Sequence, residues 1–325
     1  MKGIKKIKNY RLMREIGRGS VGFVYEAIDD EKNKKVAMKS IDINKFKGDP
    51  EEEIKMINSI KQELKILKNL RHRNIIGILG VEKTQNYIYL ILEYSNGGNL
   101  NEYLNFYKKK FKAPVTEQIV QFIVGQIAKG LEYMHKNNIT HRDIKLENIL
   151  LHFPEVQDKV DYKSVNIEEA IVKIADLGYA KELQGDETMK TICGTPRYMA
   201  PDIIKILGNY QSGNENSYNS KVDLWSLGTI TYELLFGVPP FTARSIEELF
   251  NQIMEGKYNM PQNTNVSIEA ITFLNGLLQF NSDLRIEWDE IRIHPFLINN
   301  VRDFHLVDVE QVNPDNLDKN NKFQI

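Results

Sequence analysis

Apolar residues along the first ninety or so positions recur in two rhythms. Leu12 to Ile16, Phe23 to Ala27 and Val36 to Ile41 are short β-rich runs divided by Gly-rich or Asp/Asn/Lys turns, and they predict strands. From Glu51 to Leu70 the rhythm lengthens. Ile57, Ile60, Leu64 and Leu67 recur at three- and four-residue spacing, which predicts a helix. Two more strands follow, the second over Ile88 to Leu92, and a turn at Ser95 to Asn99 (SNGGN) opens a mostly helical remainder.

In that remainder Thr116 is the expected N-cap of a helix, with Glu117 in the first turn, where a negative charge suits the helix dipole. Ile119, Phe122, Ile123, Ile127, Leu131 and Met134 form its broad apolar face. Leu224 to Phe236 is apolar around nearly its whole circumference and predicts a buried helix. After His294-Pro295-Phe296 the chain turns polar, and residues 300–325 read as a tail or linker.

Composition narrows the class. The 325 residues are 42% hydrophobic and 27% charged, as in a globular protein with a sizeable core. A net charge of −1 provides no global field for nucleic acid or an acidic membrane. The lysines from Lys2 to Lys8 and from Lys108 to Lys110 read as solvated surface. Cys193, the single cysteine, cannot form an intramolecular disulfide, which fits a reducing compartment. No apolar run approaches the ~20 residues of a membrane span, and the N-terminus lacks the apolar core of a secretory signal. The expected location is cytoplasmic, with the nucleus as the alternative.

Candidate chemistry begins at Gly17-Arg-Gly19-Ser-Val-Gly22-Phe-Val24. Such glycines permit a tight turn and close backbone approach to a phosphate, but a dinucleotide fingerprint has similar spacing. There the glycines lead into a helix. Here the chain continues as a strand, so they sit at a hairpin tip that could fold over a nucleotide. Val36-Ala37-Met-Lys39 places a lysine in an apolar strand, where an unpaired ammonium is costly. Glu63 lies four residues before Leu67, on the helix face that packs toward the strands, and is the candidate partner.

The decisive stretch is His141-Arg142-Asp143-Ile144-Lys145-Leu146-Glu147-Asn148, followed by the apolar Ile149 to Leu151. With it, the chain closely resembles the eukaryotic serine/threonine protein kinases from about Tyr10 to Leu297. Further ordered motifs carry the likeness: Asp176-Leu177-Gly178, Ala200-Pro201-Asp202, Asp223-Leu-Trp-Ser-Leu-Gly228 and Arg285. The resemblance implies an α+β, bilobal protein-kinase fold: a small β-rich N-lobe with one main helix and a larger, mostly helical C-lobe. It implies a kinase domain over 10–299, with the N-lobe at about 10–92, a hinge at 93–95 and the C-lobe at about 96–299.

The same resemblance implies the roles. ATP and Mg²⁺ are the expected cofactors, and proteins bearing Ser or Thr the expected substrates. Lys39 would hold the α- and β-phosphates and Glu63 would fix it; Asp176 and Asn148 would hold Mg²⁺. Asp143 would accept or orient the substrate hydroxyl proton, and Lys145 would contact the γ-phosphate. Gly17, Gly19 and Gly22 would cover the phosphates. Val24 and Ala37 would roof the adenine, Leu150 would floor it, Leu92 would be the gatekeeper, and Glu93, Tyr94 and Ser95 would offer hinge backbone. Leu67, Ile78, His141 and Leu177 fit the family's regulatory stack of apolar side chains. Thr191 matches the activating phosphosite, to be modified by an upstream kinase or by autophosphorylation, and Arg142 is the guanidinium its dianion would neutralise. Thr195 matches the threonine that bonds the catalytic Asp and Lys.

The chain departs from the pattern in places. Leu177 stands for the usual Phe, which implies a looser stack. Asp202 stands for the usual Glu, one methylene short of Arg285. A strained or water-bridged contact is the expectation, with Asp202→Glu raising stability. Residues 42–59 should extend the helix, and 152–171 is an insertion expected to be a solvated excursion. Around Asp223 the text resembles the autophagy-initiating kinases, with calcium/calmodulin-dependent-like kinases a close rival. A pseudokinase scaffold is the main alternative from a different class, and a small-molecule or lipid kinase of related fold the second.

Overall fold

The strand rhythm of the N-terminal residues is realised as a six-stranded antiparallel sheet. A computed structural model describes residues 5–18, 22–46, 50–182, 194–207, 219–261 and 266–298, and the chain divides into two units, the first ending at Asn96 and the second opening at Gly97. In the first unit the strands are β1 (Lys6–Ile7), β2 (Tyr10–Arg18), β3 (Phe23–Asp29), β4 (Lys34–Asp42), β5 (Ile78–Lys83) and β6 (Tyr87–Glu93). Their order across the sheet is β1-β2-β3-β4-β6-β5. Helix α1 (Pro50–Asn69) interrupts the sequence of strands, and its start at Pro50 agrees with the expectation that the charged stretch lengthens it.

Alternation assigns the two faces of the sheet. Leu12, Ala27, Val36, Met38, Tyr89 and Ile91 pack together on one face. On the other, Ile41, Ile88 and Leu90 pack with Ile60 and Leu64 of α1. Lys39 pairs with Val24 on one side and Leu90 on the other, so it belongs to the face that carries α1.

The second unit is helical around two small strand pairs. Its elements are α2 (Leu100–Phe111), α3 (Glu117–Lys136), β7 (Ile139–Thr140), β8 (Ile149–His152), β9 (Ile171–Ile174), β10 (Lys181–Glu182), α4 (Pro201–Leu207), α5 (Val222–Phe236), α6 (Ile246–Glu255), α7 (Ile268–Leu277), α8 (Trp288–Ile293) and α9 (Pro295–Ile298). β8 pairs with β9 and β7 with β10. Every residue of α5 is buried, as its all-round apolar pattern requires. These two units fit the expected α+β class. Among the described residues no helix is long and apolar enough to cross a membrane.

Thr116 is the N-cap of α3, in extended conformation with Glu117 in the first turn as expected, though its side chain makes no capping bond. Glu117 instead accepts from the backbone N–H and hydroxyl of Ser267, at 2.8 and 2.5 Å, and so ties α3 to the N-cap of α7. The insertion is not a solvated excursion. Phe153, Val160, Ile167 and Ala170 are buried. Tyr162 packs against Tyr103 and Phe106 of α2, both with ring centroids 5.3 Å away, and its hydroxyl donates to the Gly97 carbonyl. The apolar side chains are spaced through polar sequence, so the segment reads as loop while folding back on α2.

Candidate active site

In the first unit, burial forces a pairing. Lys39 and Glu63 side chains are 16% and 8% exposed, and Lys39 Nζ donates to Glu63 Oε1 at 2.8 Å. A charge-assisted bond in a partly dry site is stronger than a surface pair and fixes the ammonium. Ala37 is buried beside it on the same face of β4. Ala37 pairs with Leu92 and Val24 with Lys39, so the proposed adenine roof, gatekeeper and phosphate lysine share one sheet face.

Gly22 has a reason of its own. A Cβ there would lie 1.8 Å from the Ser40 carbonyl oxygen, so only glycine lets β3 begin this close to β4. Gly17 has ordinary space beside Val24, and Gly19 lies outside the described residues. Glu93 turns its carboxylate to the Gly77 N–H at 3.1 Å, and its own backbone N–H donates to the Gly77 carbonyl at 3.0 Å. The hinge residue Tyr94 also donates to Glu26 Oε2 at 3.2 Å, and Glu26 takes Arg14 Nε at 2.7 Å. Sequence reasoning missed this brace, because Glu26 looks like an ordinary strand residue until β3 is paired.

In the second unit the backbone at His141 and Arg142, just before Asp143, is organised by a buried carboxylate. Asp223, in the first turn of α5, is fully buried. Its Oδ2 accepts the His141 N–H and its Oδ1 the Arg142 N–H, each at 2.8 Å. Burial pushes its pKa up, but the bonds from His135 and the Arg142 backbone outweigh burial and hold it below the usual range. Arg142 adopts a left-handed backbone (φ 69°), a strained state for a non-glycine that these bonds sustain. A carboxylate at the start of a helix buried all round was the signal that Asp223 must have partners.

Around Asp143 the acceptor count is specific. Its Oδ2 accepts Lys145 Nζ at 2.6 Å and Asn148 Nδ2 at 3.1 Å. Its Oδ1 accepts the Thr195 hydroxyl at 2.8 Å. Lys145 also donates to Thr195 Oγ1 at 2.9 Å, closing a ring of three side chains. The carboxylate is 3% exposed. Oδ2 is thus filled, and Oδ1 keeps one lone pair for a further donor.

Asn148 Nδ2 donates to Asp143 twice, to its backbone carbonyl at 2.8 Å and to Oδ2 at 3.1 Å. That orientation leaves Asn148 Oδ1 as an oxygen ligand. Asp176 is exposed and also left-handed (φ 61°). Two hard oxygen donors fit Mg²⁺, which keeps several waters and takes its other ligands from phosphate. Leu150 lies in β8, half-buried, and bridges to Asn99. Leu177 and His141 are buried, and His141 Nε2 meets the Ala175 carbonyl at 3.0 Å. In the first unit Leu67 is buried and Ile78 half-buried. Thr191 lies outside the described residues.

The departure at Asp202 is also corrected. Arg285 Nη2 donates directly to Asp202 Oδ2 at 2.9 Å, with no water needed. The remaining guanidinium donors go to carbonyls: Nη1 to Lys221 at 2.8 Å, Nε and Nη2 to Gln279 at 3.2 and 3.0 Å. Asp202 is therefore held through Nη2 alone, with four of the five guanidinium N–H groups engaged.

Comparison with known proteins gives the same reading. A family model described as the protein kinase domain matches residues 10–297. The chain belongs to the protein kinase family. This kinase is 31% identical over 301 residues to "Serine/threonine-protein kinase atg1" of Dictyostelium discoideum, covering 91% of the chain and 40% of the relative. It is 32% identical over 293 residues to "Serine/threonine-protein kinase PLK4" of Drosophila virilis, covering 90% and 33%. It is 32% identical over 316 residues to "Serine/threonine-protein kinase ATG1" of Komagataella pastoris, covering 90% and 38%. The kinase therefore spans two fifths or less of the length of these relatives. Similarity to ATG1 agrees with the text around Asp223, and similarity to PLK4 stands beside it at equal identity.

Proposed function

We propose that this chain transfers the γ-phosphate of Mg-ATP to serine or threonine hydroxyls of protein substrates. The observation that carries the reading is the single open lone pair on Asp143 Oδ1, in a carboxylate otherwise saturated by Thr195, Lys145 and Asn148. A substrate hydroxyl that donates there has its oxygen held for attack on phosphorus. The new P–O bond forms as the bond to the β-phosphate oxygen breaks; ADP leaves, and the hydroxyl proton passes to Asp143.

The other residues act by charge and position. Lys145, held between Asp143 and Thr195, is placed to stabilise the negative oxygens of the transferring group. Lys39, fixed by Glu63, binds the α- and β-phosphates. Asp176 and Asn148 would hold a divalent metal ion, which would supply charge neutralisation when bound. The lysine ring and the serine/threonine kinase names of the relatives support a hydroxyl of Ser or Thr as acceptor.

Control by phosphorylation of Thr191 is part of the proposal. Arg142, next to Asp143, is the guanidinium a phosphothreonine dianion would pair with. Two experiments test the reading. Incubation with Mg²⁺, labelled ATP and a generic basic protein should put label on serine and threonine; retained ATP binding with no label would instead make the chain a pseudokinase scaffold. Phosphatase treatment and Thr191→Ala should each lower activity, and activity equal to the untreated enzyme would remove Thr191 from the account.

A further inference from the structure

Helix α8 reaches the catalytic loop through one histidine. The Trp288 indole Nε1 lies 3.2 Å from His135 Nδ1, at the end of α3. The rings meet edge to face, centroids 5.3 Å apart at 69°. An indole N–H can only donate, so His135 Nδ1 is the acceptor and Nε2 carries the proton. Nε2 is 2.8 Å from Asp223 Oδ2, the oxygen that also accepts the His141 N–H. The His135 side chain is 5% exposed and that of Asp223 is fully buried, so water offers neither a substitute bond.

We propose that Trp288 is a positioning residue for phosphotransfer, acting through His135 and Asp223 on the backbone of His141 and Arg142. The inference rests on the reading of Asp143 given above. Both ends of the imidazole are specified. Asp223 needs a donor at Nε2, and Trp288 supplies the donor that Nδ1 needs. With both bonds made, the ring has one orientation. Without the indole bond the ring can rock, and the Asp223 carboxylate rocks with it. The Arg142 backbone has the most to lose, because its left-handed conformation is held by the Asp223 Oδ1 bond. Arg142 directly precedes Asp143, so its relaxation displaces the carboxylate that receives the substrate hydroxyl.

α8 is placed to do this independently of Trp288. Arg292 Nε donates to Glu132 Oε1 at 2.8 Å, one turn before His135 on α3, and Glu132 also takes Lys136 at 3.0 Å. Lys221, immediately before α5, pairs with Glu287 at 2.6 Å. The helix therefore stays docked when the indole N–H alone is removed. Loss of a bond is then separable from loss of a helix.

The test is Trp288→Phe, which keeps an aromatic edge against His135 and deletes the donor. Its kcat should fall about tenfold, as expected for a displaced catalytic group, with KM for ATP within twofold and the melting temperature little changed. In a His135→Leu background the same substitution should change kcat no further, because the relay is already cut. Amide exchange of His141 and Arg142 should accelerate in Trp288→Phe, and the ¹⁵N signal of His135 Nδ1 should move to that of an unbonded acceptor. Unchanged kcat, or equal losses in both backgrounds, would overturn the proposal. If the parental protein transfers no phosphate, the functional reading fails. The exchange rates of His141 and Arg142 then still decide whether Trp288 holds the loop, and unchanged rates would overturn it.

Discussion

Thr195 donates its hydroxyl to Asp143 Oδ1 at 2.8 Å, and this bond decides which lone pairs of the carboxylate remain for a substrate. Thr195 also accepts from Lys145, so one side chain holds both Asp143 and Lys145. Thr195→Val keeps the shape and removes both bonds. Its kcat should fall by about 10–100-fold, in the range expected for a lost preorganised polar contact, while ATP affinity is retained. Thr195→Ser should recover most of the loss. A valine variant with parental kcat would show that Asp143 needs no such partner.

Arg285 and Asp202 yield a different expectation from the one the missing methylene first implied. Four of the five Arg285 N–H groups are engaged, and the bond to Asp202 is already direct at 2.9 Å, so a longer carboxylate has no strained or water-bridged contact to relieve. Asp202→Glu should therefore not raise the melting temperature. Asp202→Ala should lower stability by about 3–5 kcal/mol, because it strands a buried guanidinium. Burial already disfavours the charged form of Arg285, against the pull of Asp202. Thermal unfolding of the two variants checks both statements, and a stabilised glutamate variant would restore the strained-contact view.

Tyr162 reports whether the insertion is part of the folded unit. Tyr162→Phe should cost about 1 kcal/mol, for the bond to the Gly97 carbonyl. Tyr162→Ala should cost about 3 kcal/mol, for the ring lost from Tyr103 and Phe106. Urea denaturation measures both. If the alanine variant stays within about 0.5 kcal/mol of the parent, as surface substitutions do, the segment is not packed as described.

Glu233 makes stability depend on pH. Desolvation raises its pKa above the ordinary glutamate value of about 4.3, although the Tyr198 hydroxyl bonds it at 3.1 Å. A raised folded value means the protonated carboxyl is favoured in the native state. Its contribution is complete below about pH 4 and is lost as pH rises through the folded pKa. Glu233→Gln mimics the protonated form. The variant should match the parent in melting temperature near pH 4 and exceed it at pH 7.5. A variant less stable than the parent at pH 7.5 would contradict the desolvation argument.

The fold was legible where one rhythm had one interpretation. The short apolar run of Val36 to Ile41 specified β4, which is buried on both faces, and the 3-4 spacing of Ile57 to Leu67 specified α1, which has one face to bury. Lys39 and Glu63 were legible as a pair because an apolar strand cannot hold a bare ammonium. The insertion was not, since Tyr162 and Phe153 find their partners on α2 and in the core only after the chain has turned back. Glu117 was read as a dipole charge, and its bond to Ser267 spans 150 residues, beyond any local pattern. The number of Arg285 donors left for Asp202 was likewise fixed by carbonyls at Lys221 and Gln279, which no side-chain motif records.

The central claim is that the remaining lone pair of Asp143 Oδ1 receives the substrate hydroxyl. The most direct measurement is the single-turnover rate of phosphotransfer in the Asp143→Asn variant, at saturating Mg-ATP and protein substrate, against the parental enzyme. The account predicts a rate at least about 100-fold lower with ATP affinity unchanged, in line with removal of a general base. A rate within threefold of the parent would contradict it.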